Sequence, residues 1–210
     1  MSLGSNTQSL TLSAQGLFCE RDDRVLFDDL SFELQSHDIA RIVGPNGAGK
    51  STLIRILVGL SAGYEGDLSW QGQSMQRARY DFFDKLLYLG HQPGVKANLT
   101  PEENLLWTCR GASKSDIYAA LDKVDLAGYE DVPASGLSAG QHRRVALARL
   151  YINPPPVWIL DEPFTAIDKQ GVQRLEQTII DHAQSGGLVI LTTHHDLGVP
   201  VKQIELGVTK

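Results

Sequence analysis

The stretch Gly44-Pro-Asn-Gly-Ala-Gly49-Lys50-Ser51 fits the pattern G-x-x-x-x-G-K-[ST] without a mismatch. Glycines in such a loop let the backbone wrap a chain of phosphates, so that its N–H groups and the helix N-terminus behind it point at negative charge. Lys50 adds a positive charge, and Ser51 offers a hydroxyl to a magnesium ion. This chemistry suits ATP with Mg²⁺. The expected contact set is Gly44, Pro45, Asn46, Gly47, Ala48, Gly49, Lys50, Ser51 and Thr52. Read alone, the stretch is a Gly-rich turn with a surface lysine; its flanks decide against that. Ile39 to Val43 is a short apolar run suited to a buried strand, and Ser51 to Leu60 carries a helical apolar face.

Asp161 and Glu162 close a second apolar run, Val157-Trp-Ile-Leu160. Neighbouring strand residues point to opposite faces, so the two carboxylates diverge and can take separate tasks. In a phosphate-loop enzyme one acid holds Mg²⁺ and a further group positions the attacking water. Asp161 is assigned to the metal and Glu162 to the water, where an isolated pair would be a solvated acidic turn. Gln92, at a strand-to-loop junction, has an amide able to touch both metal and water. His194, ending the last apolar strand, can bond a γ-phosphate, although His195 beside it leaves that choice open. Ser138 is the natural N-cap of the next helix, and with Ala139 and Gly140 that helix start is also an open anion site.

The elements that must position these groups alternate along the chain. Leu10 to Cys19 and Val25 to Leu34 predict antiparallel strands joined by the charged turn Glu20 to Arg24, and residues 1 to 9 are expected to fray. Short strands are expected at Asp67 to Gln71 and Leu86 to Leu89, followed by a Gly90-His-Gln-Pro-Gly94 loop. Helices are expected from Thr100, as N-cap, to Arg110, from Ser115 to Val124, and from His142 to Tyr151. On the last of these Val145, Leu147, Ala148 and Ile152 pack, while Arg143, Arg144 and Arg149 stay in water. Asp168 caps a helix to about Gln184, and Leu188 to Thr192 is a strand. The helical middle, about 93–153, is assigned to a subdomain inserted in a nucleotide-binding core of about 10–92 and 154–210.

Composition narrows the classes. At 210 residues, with 42% hydrophobic and 21% charged residues, the chain can bury one sizeable core or two joined lobes. A net charge of −6 gives no electrostatic footprint for nucleic acid. No apolar run approaches the ~18 residues of a membrane span, and the N-terminus has no apolar signal core, so a membrane is reached only through another protein. Cys19 and Cys109 form no metal or redox spacing and are expected as two buried, reduced thiols, which fits the cytoplasm.

The order of phosphate loop, Gln92, Leu137-Ser-Ala-Gly-Gln141, Ile159-Leu-Asp-Glu162, Thr165-Ala-Ile-Asp168 and His194 resembles the ATP-binding subunits of ABC transporters across essentially the whole chain. The resemblance implies an α/β fold: a P-loop NTPase core with an antiparallel β subdomain and an inserted α-helical subdomain. It implies that Gln92 is the Q-loop, Leu137 to Gln141 the family signature, Asp161 the magnesium-associated acid, Glu162 the catalytic base and His194 the switch histidine. It also implies a head-to-tail sandwich dimer, in which Ser138, Gly140 and Gln141 of one copy close over the ATP held by Lys50 of the other. Hydrolysis then drives a membrane permease through a groove near the Q-loop. Narrower stretches, Leu89 to Gly94, Leu99 to Leu105, Ser138 to Leu150 and Leu160 to Asp168, look like the cytochrome c maturation (haem exporter type) branch. That implies a peripheral protein on the cytoplasmic face of the bacterial inner membrane, with a polytopic permease and other maturation subunits as partners.

Two departures stand out. Ala139 replaces the signature's usual glycine, and the position where relatives carry an aromatic to stack on adenine falls near Arg21, whose guanidinium plane can also stack on a base. The rival readings are an ATPase of another exporter, for lipid, drug or peptide, a soluble ABC-type ATPase of DNA repair or translation, and a nucleotide-binding regulator without turnover. The soluble types carry a long coiled coil or two nucleotide domains, which this chain lacks, and Glu162 argues against the regulator.

Overall fold

The computed structural model describes residues 9–207; most of the N-terminal stretch expected to fray lies outside them. The chain opens on a long hairpin, β1 (Thr11–Arg21) and β2 (Arg24–Gln35). Its turn is shorter than the sequence suggests: Asp22 and Asp23 have φ of 53° and 57°, left-handed at both central positions as a type I′ turn requires. The strands therefore run on until Arg21 faces Arg24 at the hairpin tip.

β3 (Ile39–Val43) feeds the phosphate loop, and α1 (Lys50–Leu57) follows it. β4 (Glu65–Trp70) and the two-residue β5 (Gln73–Ser74) complete an antiparallel sheet in the order β2-β1-β4-β5. α2 (Met75–Asp84) has no counterpart in the sequence reading, because only Ala78 and Phe82 of it are buried. It is held by Phe82, edge-on to Trp70 at 5.1 Å, and by Trp70 Nε1 donating to Asp81 Oδ2 at 2.6 Å.

β6 (Leu86–Leu89) leads into the Gln92 loop. α3 (Pro101–Thr108) and α4 (Lys114–Lys123) each begin with a reciprocal capping box, Thr100 with Glu103 and Ser113 with Asp116. α5 (Ala139–Ala148) starts earlier than expected and passes into a 3₁₀ turn at Arg149–Tyr151. β7 (Val157–Asp161), α6 (Lys169–Gln184), β8 (Leu188–Thr192) and β9 (Lys202–Glu205) finish the chain. The parallel sheet runs β6-β7-β8-β3-β9.

Strand alternation divides the interior. Val157, Ile159, Leu188 and Ile190 face a core shared with α1 and the antiparallel sheet, whereas Trp158, Leu160, Val189 and Leu191 face one shared with α3 to α6. β7 and β8 are buried at every residue and paired in register, Val157 opposite Leu188 through Asp161 opposite Thr192. All neighbours in this sheet are parallel, so the segments after β3, β6, β7 and β8 leave from one edge. That edge gathers the phosphate loop, Gln92, Asp161 with Glu162, and His194.

Candidate nucleotide-binding site

The phosphate loop has little conformational choice. Gly44 has φ 153°, and a Cβ there would lie 2.7 Å from the Leu206 carbonyl oxygen. Gly49, the N-cap of α1, has φ 97°, and its Cβ would press to 3.0 Å on Leu26. Being glycine, Gly49 supplies no side-chain cap, so the first-turn N–H groups of α1 stay available to an anion. Lys50 folds back over the loop, its Nζ donating to the Gly44 and Pro45 carbonyls at 2.7 and 3.1 Å. Beside it opens a cavity of about 450 Å³ lined by Asn46, Gly47, Gly49, Lys50, Ser51 and Thr52 and, from the hairpin tip, by Arg21, Asp22, Arg24 and Leu26. Arg21 thus shares a cavity with the phosphate loop. Arg24, which sequence reasoning missed, lies closer, with Nη1 3.5 Å from where a Gly47 Cβ would sit.

At the end of β7, Asp161 is buried and one of its oxygens, Oδ1, accepts a hydrogen bond from Thr192 Oγ1 at 2.7 Å. The Glu162 N–H donates to the Thr192 carbonyl and hydroxyl at 3.2 and 3.0 Å. Glu162 has φ 48°, an uncommon left-handed conformation for a glutamate, at the point where the chain leaves β7. His194 Nε2 lies 3.9 Å from Glu162 Oε1. His194 is mostly exposed, whereas His195 is engaged elsewhere: its Nε2 lies 2.9 Å from Glu176 Oε2, and its ring packs on Phe164. Of the two histidines, His194 is the one within 3.9 Å of the Glu162 carboxylate, whereas His195 is held by Glu176.

Three further residues shape this edge and were assigned no site role from the sequence. Thr192 joins Asp161 to Glu162. Tyr88 sits with its hydroxyl 2.8 Å from where a Gly90 Cβ would be, and burial, then the Asp161 carboxylate, push its hydroxyl pKa up. Arg143 corrects an expectation: it is buried, not wet, and so is the Nε of Arg149, because backbone carbonyls at the strand ends draw their guanidinium groups inward. Arg144 is half-buried and pairs with Asp168 at 2.6 Å. Cys19 is a buried free thiol as expected, but Cys109 is only partly buried.

Ser138, Gly140 and Gln141 are not among the cavity's lining residues. Instead Ser138 and Gln141 cap α5 reciprocally: Ser138 Oγ accepts from Gln141 N at 3.2 Å, and Gln141 Oε1 accepts from Ser138 N at 2.8 Å. Gly140 lies against the loop before α6, where a Cβ would stand 3.2 Å from the Ala166 carbonyl.

Among the described residues no group of three or more His, Cys, Asp or Glu side chains forms a metal cage. Mg²⁺ does not need one, since it favours one or two protein oxygens plus water and phosphate. A buried single carboxylate and the Ser51 hydroxyl near a phosphate loop fit that demand.

The family model described as ABC transporter matches residues 27–165. The chain is 52% identical over 95% of its length, and 97% of the relative's, to the cytochrome c biogenesis ATP-binding export protein CcmA of Hahella chejuensis. It is 54% identical to the protein of the same name from Shewanella frigidimarina, over 93% of this chain and 91% of that one. Among solved structures, a bacterial Atm1-family ABC exporter with ATP bound superposes with a TM-score of 0.81 at 26% identity, covering 95% of this chain and 37% of the exporter. The chain belongs to the ABC transporter family, as one of its ATP-hydrolysing subunits.

Proposed function

We propose that this chain hydrolyses ATP to energise a membrane permease in cytochrome c biogenesis, in a system of the haem delivery or export type. The observation that carries the enzymatic part is the row of groups along one edge of the parallel sheet: Asp161 and Glu162 after β7, His194 after β8, and the uncapped helix start with Lys50 after β3. The pathway rests on the name shared by the relatives at 52–54% identity.

On this reading residues 44–52 wrap the phosphates of ATP, and Lys50 exchanges its two carbonyl partners for phosphate oxygens. Arg21 stacks on the adenine at the hairpin tip. Ser51, Asp161 and Gln92 would hold Mg²⁺, which when bound would supply positive charge against the phosphates. Glu162 accepts a proton from the attacking water at its carboxylate, which lies 3.9 Å from His194 Nε2. His194 bonds the γ-phosphate and registers its loss. Ser138, Gly140 and Gln141 act on the ATP of a second copy; in their own chain Ser138 and Gln141 are engaged in capping α5.

The chain reaches the membrane as a peripheral subunit on the cytoplasmic face of the bacterial inner membrane; no helix among the described residues is long and apolar enough to cross it. The test is capture from detergent-solubilised membranes with the Glu162→Gln chain and ATP. The expected catch is a polytopic permease together with haem-handling proteins. A permease of another system would overturn the pathway and leave the site, whereas capture of no membrane protein would overturn transport.

A further inference from the structure

Arg143 is the most buried cation of the described residues, only 4% exposed, and it forms no ion pair among them. Its donors go to backbone carbonyls at the ends of two strands. Nη1 bonds the Gly90 oxygen at 2.7 Å, where β6 passes into the Gln92 loop; Nη2 bonds the Asp161 oxygen at 3.0 Å and the Glu162 oxygen at 2.7 Å. Nε is buried with no partner. Burying a guanidinium without a carboxylate is an expensive way to fasten a helix, and burial pushes its pKa down while the Asp161 and Glu162 carboxylates oppose that. A neutral side chain would serve packing better, so the cost points to the three carbonyls.

Glu162 is where such a clamp matters. Its left-handed φ of 48° is maintained from one side by Thr192, which accepts from its N–H, and from the other by Arg143, which donates to its carbonyl. The planar fork of arginine fixes two acceptors at once, which lysine cannot do. Arg143 also stands on α5, the helix that starts with Ser138, and Arg149 just beyond that helix reaches the Tyr88 carbonyl at 3.2 Å.

We propose that Arg143 is a positioning residue that ties the placement of α5 to the backbone of Glu162 and to the entrance of the Gln92 loop. This rests on Glu162 being the base. With α5 seated, the fork holds Glu162 in the conformation that aims its carboxylate at water; when α5 shifts, the fork withdraws and the carboxylate loses its aim. The Ser138 end of α5 and the base of the same chain are thereby set together.

The test is single-turnover hydrolysis of labelled ATP by the full chain in excess, alongside the Kd for ATP and thermal melting, for Arg143→Gln and Arg143→Lys. Arg143→Gln should lower the hydrolysis rate about tenfold or more, with the Kd within about twofold because Lys50 and its loop do not touch Arg143. Arg143→Lys, which keeps the charge and loses the fork, should recover only part of the rate. Added to Glu162→Gln, Arg143→Gln should cause no further loss, since both act on the same step. Wild-type hydrolysis in both Arg143 variants, or losses that multiply in the double variant, would overturn the positioning role. Wild-type hydrolysis in Glu162→Gln alone would instead overturn the base. If Arg143→Gln does not fold, the rate-against-Kd split in Arg143→Lys decides.

Discussion

Two helix starts in this molecule are built to opposite designs. α1 begins at Gly49, which has no side chain to cap it, beside a cavity and under a lysine. α5 begins at Ser138 and is closed by its own capping box with Gln141. Both are preceded by small residues and both were expected to meet phosphate. The difference teaches that only α1 is ready for an anion within its own chain. At α5 a phosphate oxygen would have to replace internal hydrogen bonds of comparable strength, and on the proposed function that helix engages ATP only where a second copy presents it in place. Binding and hydrolysis are then separable properties of two helix ends.

The largest effects should fall on α1 and the acid row. Lys50→Ala should weaken ATP binding by roughly 30-fold or more, the loss of charged hydrogen bonds of about 2–3 kcal/mol, as read by a fluorescent nucleotide titration. Glu162→Gln should leave that titration unchanged and cut turnover by about 10²-fold. An equal loss of binding in both would erase the division of labour. Ser138→Ala sharpens the contrast. It should leave nucleotide binding by the single chain intact, reduce hydrolysis severalfold at least, and cost about 1 kcal/mol of stability through the lost cap; weakened binding by the single chain would place Ser138 at the wrong site.

A smaller effect is expected at the hairpin tip. Arg21→Ala should raise the Kd for ATP by a few-fold, matching about 0.5–1 kcal/mol for a stacked guanidinium, and an unchanged Kd would remove Arg21 from the adenine. The smallest concerns the loop that carries His194. Glu176 on α6 accepts from the Gly198 N–H at 2.8 Å and pairs with His195. Those contacts, the Gly198 N–H first, hold its carboxyl pKa below the ordinary 4.5. A depressed acid contributes stability above its unfolded pKa and loses it as pH falls through the folded value. Glu176→Gln should therefore lower Tm by roughly 1–3 °C at pH 7, and the difference from the native chain should close as pH falls below about 4.

What the sequence made legible was whatever a local pattern encodes. The phosphate loop is a fixed pattern of glycines and a lysine, and β7 and β8 are continuous apolar runs next to residues that could do chemistry. β9 was missed because Ile204 is its only buried residue; it is a strand through pairing with β3, a non-local fact. α2 was missed because two buried residues in a charged stretch give a weak period. Arg143 and Arg149 were misplaced for a different reason. A helical wheel sends every arginine to water, and it cannot see three carbonyls waiting at the ends of neighbouring strands. Thr192 acquires its role only from the register that sets it opposite Asp161, and Tyr88 only from the neighbouring strand, where it lies opposite Ile159 and feels the Asp161 charge.

The most direct test of the two-helix account is complementation. Lys50→Ala chains, with a sound α5, are mixed with Ser138→Ala chains, which have a sound α1, and ATP hydrolysis is compared with each variant alone at the same total concentration. The account predicts that the mixture regains a clear share of native activity, since a mixed pair contains one complete site built from both chains. A mixture no more active than its parts would contradict it and return both helix starts to the ATP of a single chain.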